Sequence, residues 1–145
     1  PLGWEDFEKN VKFVSENANF LQFNIVASNL TSHQLYETCT WMKQYSRNIN
    51  ISILTSPRSM SERAVPLEHR KKYIENIEKL SKFPVSVHYA MNFRNKIQYL
   101  LKKYREEFYD ETLHKELINE LTEQDSHRTL KLHDVDSFLY RWIYG

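Results

Sequence analysis

The sequence predicts an α/β fold in which parallel strands precede a helical C-terminal region. The prediction rests on two stretches, residues 20–27 and residues 48–55. Both are rich in aromatic and β-branched side chains, and each is followed directly by polar or proline residues. One amphipathic helix separates them, which is the arrangement of a βαβ crossover and therefore of parallel neighbours in one sheet. Two parallel strands, with at most a short third, make a poor sheet by themselves, because parallel sheets are normally larger and covered on both faces. The pattern therefore indicates part of an α/β barrel or sheet.

Apolar side chains at steps of three and four predict the helices, because this spacing places them on one helix face. The first helix is defined by Trp4, Phe7, Val11 and Val14. Between the strands, Thr31 and Gln34 have the spacing of a capping box, which predicts a helix start. The face of that helix is formed by Leu35, Cys39 and Met42.

A polar loop and further helices follow the second strand. Pro66 suits the first position of a helix, because its missing N–H has no partner there anyway. Apolar stripes predict more helices at about 87–109 and 113–121, and Asp134 is a good N-cap for the last one. We divide the chain into 1–3, which has the appearance of an expression scar, a βαβ region at 4–83 and a helical region at 84–145.

Composition excludes several classes of site. The only glycines are Gly3 and Gly145, so the chain lacks the glycine-dependent P-loop, dinucleotide fingerprint, nucleophile elbow and EF-hand loop. The single cysteine, Cys39, excludes a disulfide framework, a zinc ribbon or a thiolate-held cluster, and fits a reducing, cytoplasmic compartment. The 20 basic and 19 acidic residues give no overall attraction to nucleic acid, and no apolar run is long enough for a membrane span. We assign no catalytic residue and no metal ligand.

Several short segments occur in an order and spacing typical of one enzyme family. They are W-x-x-F-x-x-N-V at 4–11, F-N-I-V-A-S-N-L at 23–30, L-x-x-x-x-x-W at 35–41, I-S-I-L-T-S-P at 51–57, V-P-L-E-H-R at 65–70 and L-T-E-Q-D-S-H-R at 121–128. Together they resemble the second half of the barrel, and the region after it, in twitch-type radical S-adenosylmethionine (SAM) proteins of phage and uncultured microbes. The resemblance implies a partial, half TIM-like barrel over 4–83 with two to three parallel strands, followed by a helical twitch-like region over 84–145.

The resemblance also implies a function that this chain does not perform alone. The family's CxxxCxxC loop, whose thiolates hold a [4Fe–4S] cluster, has no counterpart here, because Cys39 is the only thiol. The chain would then be the C-terminal, substrate-side portion of a radical SAM enzyme. SAM and the [4Fe–4S] cluster would be bound only if a missing N-terminal half-barrel completes the barrel. The expected partner is that half-barrel or, as the alternative, a second copy in a homo-oligomer.

Polar residues follow both predicted strands, at the end where barrel active sites gather. The resemblance implies that Ser28 and Asn29, together with Ile53, Thr55 and Ser56, lie near bound SAM. The alternative for Ser28 and Asn29 is a turn and cap region, where both residue types are favoured for local hydrogen bonds, and the same alternative applies to Thr55 and Ser56.

A basic cluster follows the second strand. Its arginines are Arg58, Arg63 and Arg70, with Lys71 and Lys72 beside the last. These arginines are candidates for binding a substrate phosphate or carboxylate, or a nucleic-acid backbone, and the alternative is a solvated face. The second functional hypothesis is therefore a stand-alone small α/β module that binds a protein or a nucleic acid, with no membrane involved.

Overall fold

A two-stranded parallel sheet organises the protein, which we describe from a computed structural model of residues 3–145; the predicted scar therefore lies outside the described residues except for Gly3. Strand β1 (Phe23–Ala27) pairs with β2 (Ile49–Ile53), with Phe23 opposite Ile49 and Ala27 opposite Ile53. Helix α2 (Leu35–Lys43) connects them. The prediction of a parallel βαβ unit is confirmed. The described residues form this mixed α/β arrangement and no barrel.

Helices make up most of the remaining chain. Helix α1 precedes β1, and five helices follow β2. Their bounds are α1 Trp4–Asn17, α3 Arg70–Glu78, α4 Val87–Glu106, α5 Glu111–Ser126, α6 Leu132–Val135 and α7 Ser137–Tyr144. Short 3₁₀ turns occupy much of the loop between β2 and α3. None of the helices within residues 3–145 combines the length and the apolar character that crossing a bilayer requires.

The two faces of the sheet differ in chemistry. Alternate residues of β1 and β2 are buried and join one apolar core with α3, α4, α5 and α7. The opposite face carries linked amides instead, since Asn50 Nδ2 donates to Asn24 Oδ1 at 3.2 Å and Asn92 Nδ2 donates to Asn50 Oδ1 at 3.0 Å. The period of two along each strand therefore separates an apolar face from a polar one.

Helix α4 lies against β2 and α3. Its Lys96 Nζ donates to the Ile51 carbonyl at 2.8 Å, on the edge of β2 that faces away from β1. The outer edge of β1 pairs with no strand within residues 3–145, although the Val26 carbonyl accepts a hydrogen bond from the Thr31 hydroxyl at 2.8 Å.

Three predicted helix starts differ from the structure in detail. A 3₁₀ turn follows Thr31 and another follows Pro66, and each leads directly into the next α-helix. Thr31 forms no capping box, because its hydroxyl is bonded to Val26, and α2 begins only at Leu35. Helix α3 begins at Arg70 rather than at Pro66. The N-cap of the last helix is Asp136, two positions beyond Asp134.

The scarcity of glycine has a structural explanation. Among residues 3–145, only Gly145 has a positive φ, of 84°. The turns between elements are therefore made with right-handed and extended backbone conformations, which any residue type adopts at little cost.

Candidate functional site

A cleft lies at the carboxyl end of β2, between the loop that follows this strand and helix α4. It has a volume of about 250 Å³ and adjoins a hollow of about 400 Å³ that shares Ile53, Thr55 and Tyr99 with it. The cleft is lined by Ile53, Leu54, Thr55, Arg58, Ser61, Glu62, Arg63, Tyr99, Lys103, Glu107 and Leu113. Four residues that we proposed as site residues from the sequence, Ile53, Thr55, Arg58 and Arg63, thus line the same cleft.

Asn29 holds the loop that forms one wall of this cleft. The side chain is fully buried, and its Nδ2 donates to the carbonyls of Ser59 and Ser61, each at 2.9 Å. The Asn29 backbone N–H donates to the Met60 carbonyl at 3.0 Å, and the Asn29 carbonyl accepts from the Tyr73 hydroxyl. Asn29 therefore joins the end of β1 to the turn that carries Arg58.

Ser28 takes part in local hydrogen bonds beside Asn29. Its Oγ accepts the Leu30 backbone N–H at 3.2 Å, and its own backbone N–H donates to Thr31 Oγ1 at 3.0 Å. Neither Ser28 nor Asn29 lines the cleft. Ser56 is exposed next to Thr55, and it does not line the cleft either.

A second contact fixes the same loop from α5. Ser59 is fully buried, and its Oγ donates to Glu120 Oε2 at 2.6 Å. Since Asn29 binds the carbonyl of Ser59 and Glu120 binds its hydroxyl, the loop is held from two sides. Arg58 precedes this anchored residue directly, so its backbone is fixed while its side chain is exposed.

Two of the cations in the cleft already have acidic partners. Arg63 Nη2 lies 3.0 Å from Asp110 Oδ2, and its guanidinium stacks on the Phe108 ring at 4.3 Å from the centroid. Lys103 Nζ lies 2.8 Å from Glu107 Oε1; this hydrogen bond raises the pKa of Lys103 and lowers that of Glu107. Both residues are oriented by their partners before any ligand arrives.

Arg58 is different from these two cations. Its side chain is exposed, and no carboxylate of residues 3–145 lies within ion-pair distance of it. A guanidinium of this kind offers planar, bidentate donors that match a carboxylate or a phosphate. The cleft thus combines one unpaired guanidinium with two cations held in place by acidic residues.

Arg70, the third predicted arginine, lies in the interior. It is 2% exposed, and its guanidinium donates to the carbonyls of Val65 at 2.9 Å, of Tyr104 at 3.3 Å and of Glu107. Burial lowers the pKa of Arg70. Through the Glu107 carbonyl, Arg70 supports the end of α4 behind the cleft rather than lining it.

The residues present do not fit a [4Fe–4S] cluster. Cys39, the only thiol of the chain, is fully buried on α2, and burial raises its pKa to about 12. A buried, protonated thiol is neither a cluster ligand nor a nucleophile. No group of three or more His, Cys, Asp or Glu side chains is arranged to hold a metal ion in the part of the chain that the structure describes.

Sequence reasoning missed the contribution of α4 and its C-cap to the cleft, which consists of Tyr99 and Lys103 on the helix and Glu107 directly after it. The signal was present, because the apolar residues Ile97, Leu100, Leu101 and Tyr104 fix which face of α4 is buried. Positions 99, 103 and 107 recur at steps of four on a neighbouring face. The sequence does not show which element this face meets, because that depends on how α4 docks on β2.

Comparison with known proteins gives no relative from which a function is transferable. No protein-family model matches the chain, and no match was found among curated proteins or solved structures.

Proposed function

We propose that this protein is a binding module that holds a small ligand by one anionic group in the cleft at the carboxyl end of β2. The observation that carries the proposal is Arg58, an exposed guanidinium with no acidic partner among the described residues, at the mouth of a cleft that already contains two oriented cations.

The other groups in the cleft suit a ligand of modest charge. Glu62 and Glu107 share the lining with Arg58, Arg63 and Lys103, so the excess of positive charge is small. A single carboxylate or phosphate matches this balance better than a polyphosphate does. Thr55 adds a hydroxyl that donates and accepts, and the half-exposed Tyr99 ring gives an apolar surface for the rest of the ligand.

The alternative of nucleic-acid binding through the basic 58–72 segment has less support. Arg70 is buried, Arg63 is paired with Asp110, and Lys72 Nζ lies over the Phe138 ring at 4.4 Å. These side chains do not form one continuous basic surface of the kind that follows a phosphate backbone.

A narrower, second proposal follows from the resemblance to radical SAM proteins. In it, the chain is the substrate-side portion of such an enzyme, and its two strands belong to a half-barrel that another polypeptide segment completes. The parallel βαβ unit, the unpaired outer edge of β1 and the cleft at a strand's carboxyl end support this proposal. Its test is the coding sequence: a CxxxCxxC motif encoded in frame upstream or in a neighbouring gene is expected, and its absence from both would contradict the proposal.

The main proposal is tested by titrating the ¹⁵N-labelled protein with inorganic phosphate and, separately, with acetate. We expect the amide signals of Thr55, Arg58 and Lys103 to move with saturation for at least one of the two anions. Matched titrations with Arg58→Gln and with Arg94→Gln, which removes an exposed arginine elsewhere on α4, separate a local site from general charge effects. Shifts that are absent, or equal in the two variants, would contradict the proposal.

A further inference from the structure

A second cavity, separate from the β2 cleft, lies where the loop before α3 meets α5 and α7. Its volume is about 690 Å³, within the range of small-molecule sites. Leu67 and Glu68 come from the loop, Tyr109 from the connection before α5, His114 from the first turn of α5, and Arg141 from α7. The β2 cleft uses none of these residues, so the two sites are independent.

One wall of this cavity is fixed by internal hydrogen bonds. His114 Nε2 lies 2.8 Å from the Ile143 carbonyl, which accepts only, so this nitrogen carries the proton. His114 Nδ1 then accepts from the Tyr109 hydroxyl at 2.7 Å. The chain Tyr109–His114–Ile143 therefore ties the start of α5 to α7 and preforms the wall, which lowers the entropic cost of binding a ligand there.

The cavity combines an unpaired cation with apolar surface. Arg141 is exposed and has no carboxylate within ion-pair distance among residues 3–145. Leu67 is 62% exposed although it is a large aliphatic side chain, and the part-buried Tyr109 ring lines the cavity with it, whereas Trp142 is only 1% exposed. A guanidinium next to one exposed aliphatic side chain and a part-buried aromatic ring matches a ligand with a charged end and an apolar body.

We propose that this cavity binds a small organic carboxylate, with its carboxylate on Arg141 and its apolar body against Leu67 and the Tyr109 ring. Glu68, on the same rim, is exposed and disfavours a ligand with further negative charge near it. The proposal concerns a different site from the β2 cleft and does not depend on it.

The test uses 3-phenylpropionate as the probe and its uncharged amide, 3-phenylpropionamide, as the matched control ligand. Amide shifts of the ¹⁵N-labelled full chain are followed at pH 7 up to about 10 mM ligand, a range that detects millimolar affinity. We expect saturable shifts at Leu67, Tyr109 and Trp142 with the acid, and binding of the amide weaker by about tenfold.

Three variants make the test specific. Arg141→Gln is expected to weaken the acid about tenfold, and Leu67→Ala, at an exposed loop position, to weaken it about threefold. Arg94→Gln, at an exposed position of α4 that lines neither site, is expected to leave the shifts at Leu67, Tyr109 and Trp142 unchanged. The proposal is overturned by an acid that produces no shifts, by an amide that binds as well as the acid, or by Arg141→Gln and Leu67→Ala variants that both bind like the wild type.

Discussion

His33 Nε2 lies 2.7 Å from Asp136 Oδ2, in a contact that spans 103 residues of sequence. His33 is 1% exposed and follows β1, while Asp136 is the N-cap of α7, where its Oδ1 accepts the Leu139 backbone N–H at 2.9 Å. The His33 ring also stacks on Phe138. One carboxylate therefore caps the last helix and binds it to the 3₁₀ turn that follows the first strand.

Replacing Asp136 with Ala is expected to lower the free energy of unfolding by about 2 kcal/mol, since the variant loses an N-cap and leaves a buried imidazole N–H without an acceptor. Urea denaturation measures the change. The control is Glu116→Gln, an exposed acid on α5 outside the ion pairs of the described residues, for which we expect a change within about 0.5 kcal/mol. Equal effects of the two substitutions would contradict the role of Asp136.

Stability is expected to fall as the pH falls below about 6.5. Burial lowers the pKa of His33 from 6.5, although Asp136 opposes this effect, so the unfolded chain binds a proton that the folded chain does not. The loss begins near the unfolded pKa and continues down to the lowered pKa of the folded state. Burial acts to raise the pKa of Asp136, but the hydrogen bonds from Leu139 and His33 outweigh it and lower this pKa. Asp136 therefore adds a further loss of stability only below about pH 3.8.

The pH effect is checked by urea midpoints between about pH 7.5 and pH 5.0, where His33 and not Asp136 is expected to titrate. His33→Gln keeps an N–H donor in place of Nε2 but does not titrate, so its midpoint is expected to vary less over this interval. Both proteins keep five other histidines, so the test compares how steeply the urea midpoint changes with pH in the wild type and in His33→Gln. Equal dependence on pH would show that His33 does not contribute.

Replacing Asn29 with Ala is expected to destabilise the protein by about 2 kcal/mol, because the carbonyls of Ser59 and Ser61 each lose a donor in a buried place. The same change frees the turn that carries Arg58, so anion binding in the cleft is expected to weaken at temperatures where the variant is still folded. Asn119→Ala, at an exposed position of α5, is the control for both measurements. A variant that loses stability but retains wild-type anion affinity would show that Asn29 does not position the cleft.

Reversing the charge of Arg70 is expected to be far more damaging than reversing that of its neighbour Lys71. Glu at position 70 would place a carboxylate against the carbonyls of Val65, Tyr104 and Glu107, at a cost of about 3–5 kcal/mol. Lys71 is exposed and forms only a long surface pair with Glu75 at 3.7 Å, so Lys71→Glu is expected to cost less than about 1 kcal/mol. Thermal unfolding by circular dichroism compares them, and similar melting temperatures would contradict the burial of Arg70.

The sequence was sufficient for features that depend on local periodicity. The alternation along 23–27 and 49–53, with one helix between, identified the parallel βαβ unit, because strand period and crossover length are local properties. Sequence patterns placed the starts of three α-helices a few residues too early. Thr31 is the clearest case, since its hydroxyl is bonded to the Val26 carbonyl instead of capping a helix.

The burial of His33 and Arg70 was not predictable in the same way. Both are polar residues that local reasoning assigns to the surface, and both are buried because acceptors arrive from distant segments: Asp136 for His33, and the end of α4 for Arg70. In the candidate site, too, the residues set by local pattern were predicted and those set by tertiary packing were not. Thr55 and Arg58 were found because they follow a strand, whereas Tyr99 and Lys103 depend on how α4 docks against β2.

Calorimetric titration of the full chain with inorganic phosphate and acetate at low ionic strength measures directly whether Arg58 holds an anionic group in the β2 cleft. For the anion that binds, we expect Arg58→Gln to weaken affinity about tenfold and Arg94→Gln to change it less than about twofold. Failure of both anions to bind the wild type, or equal losses in the two variants, would contradict the claim.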